Sequence, residues 1–138
     1  LGPPLPPGRG IGEDGGAAMP RKFLFVVFTD EPCKLNHAFM QALDLEAHGH
    51  QVRLLLEGAG TRCLAEREGR FGELFAAARE RGLLAGACRT AAGGCSTGDP
   101  ARDVVAAAAD QGLPLLDDMD GHASLGPYVA EGFEIVVF

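Results

Sequence analysis

The chain has 138 residues, of which 46% are hydrophobic and 22% are charged, a composition typical of one globular domain and unlike that of a disordered chain. Its formal charge of -7 comes without a cluster of lysines and arginines, which argues against nucleic acid as a partner. No apolar run approaches the roughly 20 residues that span a bilayer, and the first residues lack the apolar stretch of a secretion signal. The composition therefore predicts a cytoplasmic protein with no membrane partner.

The cysteines are spread widely along the chain and form no Cys-x-x-Cys pair; they are Cys33, Cys63, Cys88 and Cys95. A small secreted protein held together by disulfides has more cysteines at closer spacing. We therefore expect reduced thiols.

Residues 1–20 are mostly proline, glycine and alanine, so we expect a flexible tail or an added extension, with Met19 as a candidate native start. Gly10, Gly12 and Gly15 match the Gly-x-Gly-x-x-Gly pattern of dinucleotide-binding folds. That pattern requires a strand before it and a helix after it, and the tail has neither. Residues 21–138 are expected to form the folded domain.

The folded part begins with the apolar run FLFVVF at residues 23–28, which predicts a strand buried on both faces. Apolar residues at helical spacing from Leu35 to Leu45 then predict a helix that ends at a glycine. The same junction recurs along the chain, with glycines 49, 82, 112 and 132 preceding the strands QVRLLLE, LLAGAC, LPLL and FEIVVF.

Amphipathic helices are predicted between these strands. One packs through residues 71–78, one is capped by Asp99, begins at Pro100 and packs through Val104, Val105 and Ala108, and a short one covers about residues 124–131. This alternation predicts a single α/β domain with three layers, in which helices flank a mainly parallel five-stranded sheet.

The loops after the carboxyl ends of parallel strands share one edge of a sheet, where open α/β sheets bind ligands. Three of the four cysteines fall in these loops, and so does the acidic segment DDMDGH at residues 117–122. We therefore predict one crevice around Cys88. Its expected lining consists of Cys33, Arg89, Gly93, Gly94, Cys95, Asp118 and His122.

Cys88 is the candidate nucleophile because it ends a buried strand at this edge. A thiol reacts as the thiolate, which would be favoured by Arg89 and by a nest of backbone N–H groups at Gly93 and Gly94. Carboxylates of residues 117–122 would oppose ionisation if they lie close. Free cysteine is also among the most buried residue types, so a purely structural Cys88 is an equal alternative.

Two further interpretations involve the neighbouring residues. Cys95 is either a resolving thiol that forms a reversible disulfide with Cys88, which needs Cα atoms within about 7 Å, or an idle loop residue. Cys33, Cys88, Cys95 and His122 include zinc-ligand types, but the close ligand pairs of structural zinc sites are absent, so we predict no metal and no cofactor. His122 is the candidate general base by position.

Four segments match a known family in order and spacing: KFLFVVF, HGHQVRLLLEGAG, ACRTAA and YVAEGFEIVVF. On these segments, residues 22–138 resemble the DsrE/DsrF-like family of small sulfur-relay proteins. The resemblance implies a DsrE-like subunit of a homo-oligomer or hetero-oligomer, often a trimer or hexamer, that passes sulfur as a cysteine persulfide between donor and acceptor proteins. Cys88 matches the sulfur-carrying position, while Gly93 and Gly94 replace the Arg-Gly that tends to follow it in active members.

Three functions are therefore expected to compete. The leading one is a sulfurtransferase-like sulfur relay that carries a persulfide on Cys88. The second is a non-catalytic member of the same family that binds a small ligand or serves as an oligomeric scaffold, since some relatives lack the cysteine. The third is a thiol redox switch between Cys88 and Cys95.

Overall fold

The computed structural model describes residues 19–95 and 103–138. In chain order its elements are β1 (Lys22–Val27), α1 (Pro32–Ala47), β2 (Gln51–Leu56), a 3-10 helix (Gly58–Leu64), α2 (Gly69–Glu80), β3 (Leu84–Cys88), α3 (Arg89–Cys95), α4 (Val104–Asp110), β4 (Leu115–Leu116), α5 (Gly126–Ala130) and β5 (Glu134–Val137). None of the helices in these two ranges is long and apolar enough to cross a bilayer.

All five strands form one parallel sheet in the order β4-β3-β2-β1-β5. β1 lies inside the sheet between β2 and β5, and residues 24–27 are at most 2% exposed, which explains why its sequence is a continuous apolar run. The predicted α/β fold, with a five-stranded parallel sheet flanked by helices, is confirmed.

The two faces of the sheet are covered unequally. Helices α1, α2 and α4 pack on one face, which we call the thick face, whereas α5 and the loop 117–125 cover the other, the thin face. From β1 to β4 the chain steps across the sheet in one direction, and it returns from β4 to the opposite edge to form β5. Right-handed crossovers place helices on opposite faces when the direction reverses, which accounts for the position of α5.

The thick face holds most of the core. The helical spacing predicted for the first helix is confirmed, because Leu35, Ala38, Phe39 and Ala42 are buried along one side of α1. Phe39 packs against Phe71 and Phe75 of α2, with ring centroids 4.9 Å and 6.0 Å away. Aromatic rings bury large areas, so this cluster ties the two helices to the sheet and to each other.

The glycine junctions are also confirmed. Glycines 49, 82, 112 and 132 have φ values of +91°, +72°, +68° and +87°, as expected for residues that end helices. The 3-10 helix was not predicted from the sequence. It packs so closely on the end of β1 that a Cβ atom on Gly60 would lie 2.1 Å from the carbonyl oxygen of Val27, which is why a glycine is needed there.

Two predicted boundaries differ from the structure. Helix α4 begins at Val104, capped by the Asp103 carboxylate, which accepts from the Ala106 N–H at 3.0 Å, and Val105 is 38% exposed and not packed as predicted. The predicted start at Asp99 and Pro100 lies outside the described residues.

Strand β4 is also shorter than the predicted LPLL. The Leu113 N–H donates to a helix carbonyl, that of Ala108, and Pro114 has no N–H to donate, so only Leu115 and Leu116 pair as a strand.

Candidate functional site

The candidate site lies between the carboxyl ends of β3 and β4. The connection after β3 leads through α3 toward the thick face, whereas the loop after β4 crosses to the thin face. Adjacent strands whose connections leave on opposite faces open a crevice between them, which is where ligands bind in open α/β sheets. The predicted location of the site therefore coincides with the one such reversal in the described sheet.

Cys88 ends β3 and its side chain packs on the thin face. The residue is fully buried and belongs to a cluster with Leu24, Val26, Leu55 and Phe133. Ala123, from the loop after β4, completes this cluster. The thiol thus lies beneath the loop 117–125, in apolar surroundings.

His122 is brought to Cys88, as the sequence predicted. The ring atom Nδ1 of His122 lies 3.5 Å from Cys88 Sγ, within hydrogen-bond distance for sulfur. His122 is itself an exposed residue. The imidazole therefore joins the buried thiol to solvent. An imidazole in this position can accept the thiol proton, which is the arrangement that activates cysteine nucleophiles.

A tight turn fixes the backbone of His122. The backbones of Met119 and His122 exchange two hydrogen bonds of 2.8 Å and 3.0 Å. Between them, Asp120 and Gly121 have φ values of +51° and +89°, as in a type I′ turn. The Asp-Gly pair in the sequence is a local signal for this turn.

Two of the charged residues at the site pair with each other. Arg89 Nε donates to Asp117 Oδ2 at 2.9 Å, and both side chains are more than half exposed. Asp118 Oδ1 accepts from the Ser124 N–H at 2.9 Å. Arg89 and Asp117 therefore largely offset each other's charge near Cys88, while Asp118 stabilises the loop.

The predicted nest at Gly93 and Gly94 is wrong. Both glycines belong to helix α3 and are exposed, and a Cβ atom on either would meet nothing within 4 Å. The residues before them, Arg-Thr-Ala-Ala, begin a helix directly after β3, and the helix continues through both glycines at a cost of about 1 kcal/mol each.

The geometry between Cys88 and Cys95 is not described. Cys95 is the last residue of α3, and its side chain lies outside the described residues, as do residues 96–102 with the predicted loop positions Ser96 and Thr97. The reversible disulfide between Cys88 and Cys95 stays a prediction.

Cys33 lies apart from the apolar cluster around Cys88. It is exposed in the first turn of α1, where its N–H donates to Glu31 Oε1 at 3.0 Å. The N–H of Lys34 donates to the same carboxylate, and these backbone hydrogen bonds lower the pKa of Glu31. In residues 19–95 and 103–138, no three His, Cys, Asp or Glu side chains converge as metal ligands.

A separate cavity of about 330 Å³ opens where β1 and β2 end, lined by Asp30, Pro32, Leu35, Arg62, Cys63, Glu66, Glu68 and Phe71. Cys63 is buried, and burial raises the pKa of its thiol far above the usual value, although the charge of Arg67 opposes the shift. This thiol therefore stays protonated, and it has no role in the predicted chemistry.

Thr90 is the site residue whose role the sequence did not predict. Its backbone N–H and its Oγ1 hydroxyl both donate to the carbonyl oxygen of Gly121, at 3.1 Å and 2.6 Å. Thr90 thereby ties the segment that follows Cys88 to the turn that carries His122.

In comparisons with protein-family models, curated proteins and solved structures, nothing matches this chain.

Proposed function

We propose that this protein is a sulfur carrier of the DsrE/DsrF-like kind, which holds sulfur as a persulfide on Cys88. The observation that carries the proposal is the 3.5 Å contact between Cys88 Sγ and His122 Nδ1 at the carboxyl ends of β3 and β4. The resemblance of the segment ACRTAA to the sulfur-carrying position of that family supports the same residue.

The chemistry needs no oxidant. His122 accepts the proton of Cys88, and the thiolate attacks the outer sulfur of a donor persulfide. A new S–S bond forms to Cys88 as the donor S–S bond breaks, and the donor leaves as a thiol that takes up a proton. Delivery repeats the exchange, because an acceptor thiolate attacks the outer sulfur and releases Cys88, which is then protonated again.

Burial of Cys88 sets a condition on this reaction. The thiol has no exposed surface, so a donor reaches it only when the part of the loop 117–125 near Asp117 shifts while His122 stays beside the thiol. The contacts that hold the loop include the exposed pair Arg89–Asp117 and the hydrogen bonds of Thr90 to Gly121, besides the burial of Ala123. Exposed ion pairs contribute at most about 1 kcal/mol, so the Arg89–Asp117 side of the loop can open while Ala123 and His122 keep their contacts with the Cys88 cluster.

The proposal extends to location and assembly. Cys33, Cys63 and Cys88 are free thiols, which fits a reducing compartment such as the cytoplasm. Leu125 and Val129 on the thin face and Val137 in the edge strand β5 expose apolar surface. Such surface fits a homo-oligomer or hetero-oligomer, and donor and acceptor proteins are the partners that the relay requires.

A non-catalytic scaffold is the second candidate function, and the complete burial of Cys88 favours it. In that case the thiol is a small core residue and His122 is a surface residue that happens to contact it. Both candidates keep the same fold, so only the reactivity of the thiol separates them.

The test is intact-mass spectrometry after incubation with cysteine persulfide, with alkylation and peptide mapping to locate the added sulfur. We expect wild type to gain one sulfur atom at Cys88, the C88S variant to gain none there, and the matched C33S variant to load like wild type. A folded wild-type protein without added sulfur at Cys88 would overturn the carrier and support the scaffold.

A further inference from the structure

The contact between Cys88 and His122 joins two separate parts of the chain. Cys88 belongs to the end of β3, and His122 belongs to the loop after β4. Among the described residues, the polar contact recorded for the His122 ring is the one to Cys88. The position of the ring therefore depends on the position of the His122 backbone. A residue that holds this backbone also controls the contact between His122 and Cys88.

Thr90 is that residue. It lies two positions after Cys88, and both its hydroxyl and its backbone N–H donate to the carbonyl oxygen of Gly121, the residue directly before His122. The fit is close, because a Cβ atom on Gly121 would lie 3.0 Å from Thr90 Oγ1. The turn and the threonine thus meet without space between them.

The turn transmits this restraint to His122. Its two backbone hydrogen bonds between Met119 and His122 leave little freedom once Gly121 is held. A displacement of Gly121 would therefore carry His122 with it, and the Sγ–Nδ1 distance would lengthen beyond hydrogen-bond range. On the proposed function, this would leave the thiol without its proton acceptor.

We infer that Thr90 is a positioning residue, which holds His122 at the Cys88 thiol through the carbonyl of Gly121. The inference rests on the proposed function for its consequence in sulfur transfer. Both hydrogen bonds of Thr90 go to the carbonyl oxygen of Gly121, so its effect on Cys88 is exerted through His122.

A pH profile of Cys88 also depends on the charged and titratable groups around the site. Arg89 and Asp117 pair with each other on the surface, Asp118 accepts from the loop backbone, Asp120 lies at the turn, and Tyr128 of α5 packs against the cluster of Cys88. Thr90 itself does not titrate, so replacing it with valine changes geometry while every charge stays in place.

The test is the rate at which iodoacetamide alkylates Cys88, followed by peptide mass from neutral to strongly alkaline pH. With T90V we expect the rate at neutral pH to fall several-fold, because His122 no longer assists ionisation. At strongly alkaline pH, where hydroxide can take the place of His122 as the proton acceptor, the rates of T90V and wild type should agree. The conservative T90S variant, which keeps a hydroxyl, should restore the wild-type profile.

Thr61 provides a matched control. Its Oγ1 donates to the carbonyl oxygen of Gly58 at 2.8 Å, so T61V removes the same kind of hydrogen bond in the connection after β2. T61V should leave the Cys88 profile unchanged. Circular dichroism of each variant confirms that the fold is retained.

Two results would overturn the inference. A T90V rate that rises at every pH would mean that Thr90 only holds the loop closed over the thiol, and an unchanged profile would mean that it does not position His122. The readout does not depend on sulfur loading. If T90V shows the expected profile but wild type takes up no persulfide, the positioning role stands and the carrier fails.

Discussion

Cys63 and Cys88 are both buried free thiols near the ends of neighbouring strands, yet their surroundings differ. Cys63 packs on the thick face beneath helices α1 and α2, where burial raises the pKa of its thiol. Cys88 packs on the thin face beneath one loop and contacts His122. Burial is therefore common to both, and the proton acceptor and the thin cover distinguish the candidate nucleophile.

The chain covers the carboxyl edge of the sheet in two different ways after β2 and after β4. After β2 the chain closes the edge with a 3-10 helix that packs tightly on β1, and the thiol becomes part of the core. After β4 it lays a hydrogen-bonded turn over the edge and leaves His122 exposed. The second arrangement places an exposed imidazole in contact with the buried thiol.

The largest expected effect is a difference in native-state alkylation. Under folding conditions we expect iodoacetamide to modify Cys88 at least about a hundredfold faster than Cys63, because burial keeps Cys63 protonated although it lines the open cavity, whereas Cys88 has His122 beside it. Peptide mass measures each site, and the exposed Cys33 serves as an internal reference. Equal rates for Cys63 and Cys88 would break the comparison, since both thiols would then need global unfolding.

A smaller effect is expected from serine in place of each thiol. C63S buries a hydroxyl in apolar surroundings, so we expect it to lower the free energy of unfolding by about 1–3 kcal/mol. C88S places its hydroxyl against His122 Nδ1, so the loss should stay below about 1 kcal/mol. Urea denaturation measures both values. A C88S variant as unstable as C63S would indicate that His122 does not contact position 88 in solution.

The smallest expected effect concerns Glu31, whose carboxylate caps the helix turn that carries the exposed thiol Cys33. Glu31 caps α1 by accepting from the N–H groups of Cys33 and Lys34, and its pKa is lower in the folded protein. This stabilisation is present above about pH 4 and is lost as the pH falls through the folded-state pKa. We expect E31Q to lower the melting temperature by a few degrees near neutral pH and to match wild type in acid. A difference that persists unchanged in acid would assign the effect to something other than the charge.

Much of the fold could be predicted because its signals are local. The run at β1, the spacing along α1 and the glycines that end helices each depend on a few neighbouring residues. From these, the parallel sheet and its carboxyl edge follow by general rules, and so does the approach of His122 to Cys88.

The errors arose where packing decides between alternatives. Gly93 and Gly94 favour a loop by composition, but the helix that starts at Arg89 includes them. The close approach of Gly60 to Val27 and the hydrogen bonds of Thr90 to Gly121 join residues about thirty positions apart or more. No periodicity in the sequence indicates such contacts, so the hydrogen bonds between Thr90 and the turn could be found only in the three-dimensional structure.

The pairing of β5 with β1 has a consequence for the order of folding. Phe23 lies opposite Glu134, more than a hundred positions away, whereas the thick face assembles from elements that follow one another closely. Closing so long a loop is slow, so the core of α1, α2 and β1–β3 can form first. Phe133 and Ala123, which enclose Cys88, arrive with the last elements. A partly folded chain would therefore expose Cys88 to oxidation while Cys63 is already protected.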